Sequence, residues 1–210
     1  LMLAPFMVAV SGGSGSGKTT FVSKLRTRLE REQPLIVNID HYYRDLSHLE
    51  PSERARTNFD DPDSIERALL IDQVSSLRQG QSVLRPSYDF STHSRVSETV
   101  QLDPGPVIIV DGIFSLCFPE LFDLIDLKIF IDVDDDVRVV RRIRRDTAER
   151  GRNFESCASQ YLGSVKAMHQ KFIEPTKIHA DLVIPWHHMN ERAVDCIADL
   201  IQLSVRKRSL

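Results

Sequence analysis

Gly12–Gly13–Ser14–Gly15–Ser16–Gly17–Lys18–Thr19 decides the fold of this chain. The spacing fits G-x-x-x-x-G-K-[ST], a loop whose backbone N–H groups cradle phosphate. Its flanks supply the context that the motif requires. Phe6–Met7–Val8–Ala9–Val10 reads as a short buried strand, and Phe21 to Glu32 as a helix with Phe21, Val22, Leu25 and Leu29 on one face. The glycines let successive N–H groups turn inward, and the helix N-terminus adds partial positive charge. In such a loop Lys18 reaches the β- and γ-phosphates, and the Thr19 hydroxyl is placed to ligate Mg²⁺. A Gly/Ser-rich linker could match the spacing by chance. It would not lie between an apolar strand and an amphipathic helix.

The chain has 210 residues, 41% hydrophobic and 27% charged, which suits one ordinary α/β domain spanning residues 1–210. A net charge of −3 argues against a general nucleic-acid-binding surface. Cys117, Cys157 and Cys196 are far apart and odd in number, which fits neither a disulfide framework nor a metal site. They predict reduced thiols and a cytoplasmic protein. The apolar N-terminus is too short to span a bilayer and reads as the first strand, so no membrane partner is expected.

Leu35 to Ile39 is a second strand candidate, running into Asp40–His41–Tyr42–Tyr43. In open parallel sheets ligands bind beyond the carboxyl ends of the strands, which places Asp40 opposite the phosphate loop. It could take a proton from an attacking hydroxyl, or hold Mg²⁺ through water, or simply serve as a turn or capping aspartate. Asp63 or Ser64 can cap a helix that stops near Gly80. Residues Val83 to Leu102 alternate loosely and read as a hairpin or extended excursion from the sheet, with Tyr88, Phe90 and His93 beside a hinge-like Pro86. Those aromatics could stack on a planar ligand or pack the hairpin onto the body. Val107–Ile108–Ile109–Val110–Asp111 is the strongest strand signal, and a carboxylate at its end beside a phosphate loop favours a metal role over a cap.

Leu127 to Ile131 is another strand, followed by a helix start at Asp134–Asp135–Asp136. From Val137 the helix carries Arg138, Arg142 and Arg145 on one face and Val137, Val139, Val140 and Ile143 on another. The arginines form either a solvated face or a lid over transferring phosphates; a nucleic-acid patch is disfavoured, because no aromatics are interleaved. Glu155 to Phe172 reads as a helix ended by Pro175, with Tyr161, Leu162, Val165 and Met168 on one side. Asp181 to Ile184 is a last strand, and Asn190 caps a terminal helix. The alternation predicts an α/β fold: a doubly wound, mostly parallel sheet of about five strands, with a β-hairpin excursion and an Arg-rich lid.

Taken together these segments resemble the uridine kinase (uridine–cytidine kinase) family of P-loop kinases. The resemblance runs over nearly the whole chain. Its supports are Gly12 to Thr20, Asp40–His41–Tyr42–Tyr43, Asn58 to Asp63, Tyr88–Asp89–Phe90 with His93–Ser94–Arg95, Arg141 to Asp146, Glu149 to Arg152, Gln160–Tyr161, and Glu174 to Lys177 with Ala180–Asp181. It implies phosphorylation of uridine and cytidine at the 5′-hydroxyl with ATP (or GTP) and Mg²⁺. Asp40 would be the general base. Gly12, Gly13, Ser14, Gly15, Ser16, Gly17, Lys18, Thr19 and Thr20 would hold the nucleotide, with Arg145 and Arg150 approaching its phosphates. Asp60 and Arg142 would hold the ribose hydroxyls. Tyr88 and His93 would read the pyrimidine, with Tyr43, Phe90 and Arg152 lining the pocket and Gln160 close by. Thr19 and Asp111 would hold the metal. The resemblance also implies a homo-oligomer, a tetramer or dimer, inhibited by CTP or UTP.

Two departures stand out. The family usually has Glu–Gly–Ile where this chain has Asp111–Gly112–Ile113, and Pro–Arg–Gly where it has Pro185–Trp186–His187. Phosphoribulokinase and pantothenate kinase share the loop and sheet, but the Tyr88–His93 segment argues against them. A regulatory GTPase would need an [NT]-K-x-D motif, which does not occur.

Overall fold

Phe6–Ser11 (β1) is buried at every position because both of its faces are covered. The computed structural model describes residues 4–54, 56–149 and 151–208. The other strands are β2 (Leu35–Asn38), β3 (Val83–Asp89), β4 (Ser94–Leu102), β5 (Val107–Asp111), β6 (Leu127–Asp132) and β7 (Leu182–Pro185). The helices are α1 (Lys18–Arg28), α2 (Pro51–Arg54), α3 (Arg67–Arg78), α4 (Asp135–Glu149), α5 (Phe154–Gln160), α6 (Lys166–Met168) and α7 (Glu191–Arg208). Five strands form one sheet in the order β2–β5–β1–β6–β7, with every pair parallel. The hairpin β3–β4 stands apart as an antiparallel pair with an irregularity at Pro86/Ser87. The expected α/β architecture is therefore present.

Alternate residues of β1 feed two cores. Val8 and Val10 pack with Phe21, Val22 and Leu25 of α1 and with Val194, Ile197 and Ile201 of α7. Met7 and Ala9 face the other way, with Leu70, Val74 and Leu77 of α3. The strand order reverses beside β1, so a crevice opens at the carboxyl ends of the strands. The register brings Asp111 beside Val10 on one side and Asn38 on the other, which delivers the β5 carboxylate to the phosphate loop.

Several local expectations are corrected. Asp61, not Asp63 or Ser64, supplies a cap, accepting from the Asp63 N–H at 2.9 Å; it caps a short 3₁₀ turn, and α3 itself starts without a side-chain cap. The stretch after α5 is not a uniform α-helix. Wide turns at Tyr161–Val165 and His169–Ile173 flank α6, and a 3₁₀ segment continues through Pro175 to His179. From Cys157 to Ile173 the buried residues are Cys157, Tyr161, Val165, His169 and Ile173, one in every four. A regular helix would rotate that row away from the core, and wide i→i+5 turns under-wind the chain to keep it in line. Leu162 consequently points outward and is 73% exposed. Among the described residues, no helix is long and apolar enough to cross a membrane. At the terminal helix the Ala193 N–H donates to Asn190 Oδ1 at 3.2 Å, the cap that the sequence predicts.

Candidate active site

The phosphate loop leaves β1 and enters α1 through three glycines with left-handed or otherwise positive backbone angles, Gly12, Gly15 and Gly17. Space forbids side chains there as well. A Cβ on Gly13 would lie 2.2 Å from the Arg138 guanidinium, and one on Gly15 would lie 2.3 Å from the Arg138 carbonyl oxygen. At Gly17 it would meet the Trp186 ring at 2.8 Å. Lys18 begins α1 and donates from Nζ to the Gly12 and Gly13 carbonyls at 2.9 and 3.1 Å, which curls its ammonium over the loop. Burial lowers its pKa to about 8, against the opposing pull of the Asp111 and Asp40 carboxylates. Ser16 Oγ is buried with no hydrogen-bond partner, while Thr19 and Thr20 are exposed on the first turn of α1.

Asp40 and Asp111 are the acidic groups that act on Lys18. Asp40 lies one residue into a 3₁₀ turn at the end of β2. The capping role there belongs to Asn38, whose Oδ1 accepts from the Asp40 N–H at 2.8 Å. Asp111 ends β5, and its Oδ1 is buried with no hydrogen-bond partner. Burial raises its carboxyl to about 6, with Lys18 opposing the shift and Asp40 adding to it. A buried carboxylate oxygen with no hydrogen-bond partner suits a hard divalent cation, which prefers oxygen ligands.

The arginine face of α4 turns inward, so the solvated-face alternative does not hold. Arg138 and Arg142 are buried, whereas Val140 is 49% exposed. Each guanidinium finds oxygen partners. Arg138 donates to the carbonyls of Val133 and Ser14 and pairs with Asp135. Arg141 donates to the Ser16, Trp186 and His187 carbonyls. Arg142 donates to Ser14 Oγ at 2.8 Å and to Gln160 Oε1 at 3.1 Å, and approaches Asp60 Oδ1 to 3.6 Å. Gln160 Oε1 also accepts from Arg152 at 2.5 Å. Arg145 pairs with the fully buried Asp146 at 2.8 Å and lies close enough to Lys18 to depress its pKa. Arg150 lies outside the described residues. Burial raises the Asp60 carboxyl, while Arg142 draws it back down.

The third wall is aromatic. Tyr43 meets Phe59 and Tyr88 with ring centroids 5.1 and 5.4 Å apart, and Phe90 lies 5.4 Å from Tyr88. His93 occupies the hairpin turn with φ +53° and stacks on Phe59 at 5.0 Å and 19°. Burial, helped by Arg152, lowers its pKa and keeps the imidazole neutral. The Tyr88 hydroxyl is buried without a hydrogen-bond partner, and burial raises its pKa to about 12. Of the two alternatives for the hairpin aromatics, packing onto the body is observed, through Tyr88 on Tyr43 and His93 on Phe59, while Phe90 stays 51% exposed.

Sequence comparison decides the family. The model of the Phosphoribulokinase / Uridine kinase family matches residues 7–193. The chain belongs to the phosphoribulokinase/uridine kinase family. A uridine kinase of Staphylococcus epidermidis is 46% identical over 202 residues, covering 96% of this chain and 98% of that protein. A uridine kinase of Clostridium novyi is 42% identical over 201 residues, covering 96% and 97%. Among solved structures, phosphoribulokinase from Rhodobacter spheroides superposes with a TM-score of 0.67 at 16% identity, covering 87% of this chain and 70% of that one, a likeness of fold alone.

Within this member of the phosphoribulokinase/uridine kinase family, sequence reasoning missed several groups that build the site. Phe59 carries the stacking face for His93. Asp146 is buried among Arg142, Arg145 and Arg152. Its place four residues after Arg142 and beside Arg145 was a readable signal for that pairing. Trp186 is buried edge-on against Phe21 at 5.4 Å, beneath the entry to α1. Arg95 clamps the Tyr43 carbonyl at 2.9 Å and pairs with Glu66, fixing the hairpin to the Asp40 segment.

Proposed function

We propose that this chain transfers the γ-phosphoryl group of ATP to the 5′-hydroxyl of uridine and cytidine, giving UMP and CMP. The observation that carries the reading is Arg142, whose guanidinium reaches the phosphate loop at Ser14 and the Asp60 carboxylate at once. A nucleoside held by that pair has its sugar beside the loop and its base toward Tyr88 and His93. The relatives named uridine kinase, matching almost end to end, support the same substrate class.

In this reading the loop N–H groups and Lys18 hold the β- and γ-phosphates of ATP. Asp40 orients the 5′-hydroxyl and takes its proton during in-line attack on the γ-phosphorus. Lys18 and Arg145 offset the negative charge that gathers on the transferring group. Thr19 and Asp111 would hold Mg²⁺, which when bound neutralises charge on the phosphate oxygens. Neutral His93 can present a donor or an acceptor nitrogen to the base. The buried Arg142 and Asp146, flanked by Arg145 and Arg152, would limit water on the acceptor side and so suppress transfer to water. A homo-oligomeric, cytoplasmic enzyme belongs to the same reading.

An acceptor panel tests it. ATP consumption is expected with uridine and cytidine, and only background with ribulose 5-phosphate, pantothenate or no acceptor. Turnover with ribulose 5-phosphate or pantothenate exceeding that with uridine would replace this reading.

A further inference from the structure

Ser14 is the one loop residue held by two arginines of α4 from opposite ends of its own structure. Its carbonyl accepts from Arg138 Nη1 at 3.3 Å, and its hydroxyl accepts from Arg142 Nη1 at 2.8 Å. Arg138 cannot shift to accommodate a change, being 2% exposed and bonded to the Val133 carbonyl at 3.1 Å and to Asp135. Arg142 is different. Its Nε approaches Asp146 of its own helix at 3.7 Å, while Nη1 and Nη2 reach Asp60 at 3.6 Å and Gln160 at 3.1 Å, groups on the nucleoside side of the proposed site. The Ser14 side chain thus stands between phosphate loop and nucleoside wall.

A hydroxyl can accept a hydrogen bond while donating its own proton. With Arg142 as donor to its oxygen, the Ser14 proton remains available to a phosphate oxygen in the loop. Donation to an anion makes the hydroxyl oxygen a stronger acceptor, so hydrogen bonds in such a chain reinforce one another. Occupying the loop would then tighten the hold on Arg142 and fix its orientation toward Asp60. The nucleotide itself is bound largely by backbone N–H groups and Lys18, which do not depend on this side chain.

We propose that Ser14 is a positioning residue that couples the two substrates: its hydroxyl links bound nucleotide to the nucleoside-facing guanidinium of Arg142, so that filling the loop strengthens nucleoside binding. The proposal rests on the uridine kinase reading above and goes beyond it by naming the link between the sites. By thermodynamic reciprocity uridine must strengthen nucleotide binding by the same factor.

Calorimetric titration of uridine tests this, with and without a saturating non-hydrolysable ATP analogue and Mg²⁺, on wild type, Ser14→Ala and Ser14→Thr. In wild type the analogue is expected to tighten uridine binding about 5- to 10-fold, the lower part of the range usual for coupled sites. Ser14→Ala should lose most of that tightening, and Ser14→Thr, which keeps the hydroxyl, should retain it. A thermal melt of each variant checks that the fold is kept. The proposal is overturned if wild type shows no tightening, if Ser14→Ala shows as much as wild type, or if Ser14→Thr loses it as the alanine variant does. Failure of the functional reading looks different: wild type would neither bind nor phosphorylate uridine, and the coupling would fall with it.

Discussion

Nη1 of Arg142 lies 3.6 Å from Oδ1 of Asp60, and both side chains are largely withdrawn from solvent. A guanidinium donor beside a carboxylate acceptor suits a vicinal diol, whose hydroxyls both donate and accept. A 2′-deoxy sugar would leave one of them short of a partner. Sites built around a substrate hydroxyl can reject the analogue lacking it by about 10⁴-fold, and a pair that still contacts itself should do less. Discrimination for uridine over deoxyuridine is expected on the order of 10²-fold in kcat/KM. Asp60→Ala should cut uridine use far more than deoxyuridine use. An unchanged ratio in that variant would remove Asp60 from the sugar site.

A substitution at Asp40, the proposed general base, separates chemistry from binding. Asp40→Asn keeps the shape of the 3₁₀ turn, because Asn38 bonds the backbone N–H and not the side chain. It should lower kcat by roughly 10²-fold or more, the range for a lost general base, with a smaller change in uridine affinity. Normal kcat at saturating uridine would make Asp40 a positioning residue.

In the proposed function His93 reads the base, and its two ring nitrogens set the breadth of that site. Burial keeps its imidazole neutral at ordinary pH, so it offers one donor and one acceptor nitrogen. Uracil presents a carbonyl where cytosine presents an amino group, and a ring flip or change of tautomer serves either. Uridine and cytidine should have kcat/KM values within about 10-fold of each other. A larger gap would show that another group decides.

Asp111 and Lys18 give the nucleotide-free protein a distinctive pH dependence. Burial lifts the Asp111 carboxyl from 3.8 to about 6 and brings the Lys18 ammonium from 10.5 down to about 8. Between these carboxyl values the folded state holds more protons than the unfolded one, so Asp111's contribution to stability falls as pH rises through that window. Between the two ammonium values the folded state holds fewer protons, and Lys18's contribution rises with pH. Both penalties are in force between pH of about 6 and 8. Asp111→Asn removes the first. Denaturant unfolding should find the variant gaining on wild type between pH ~4 and ~7, by on the order of 2 kcal/mol. A constant difference across that range would mean that Asp111 ionises normally.

The parts of the fold legible in the sequence were those governed by local rules. Apolar runs marked β1, β5 and β6, and the glycine spacing marked the phosphate loop between β1 and α1. The hairpin showed in its alternation, and Asn190 showed as a cap because its partner lies three residues away. Less legible were features that depend on what faces an element. The arginines of α4 look solvent-directed by composition, yet Ser14, Gln160, Asp60 and Asp146 convert that face into an interior one. The wide turns around α6 follow from a four-residue burial spacing that a 3.6-residue period conceals. Trp186 gave no local sign of packing beneath Gly17, because that contact joins distant parts of the chain.

In the proposed reaction phosphate passes from ATP to the 5′-oxygen of a pyrimidine nucleoside. ³¹P NMR of a reaction holding the protein, ATP, Mg²⁺ and uridine tests it most directly. A phosphomonoester resonance coupled to the two 5′-methylene protons should grow in step with ADP. ADP accompanied only by inorganic phosphate, or a phosphoester on the 2′- or 3′-oxygen, would contradict it.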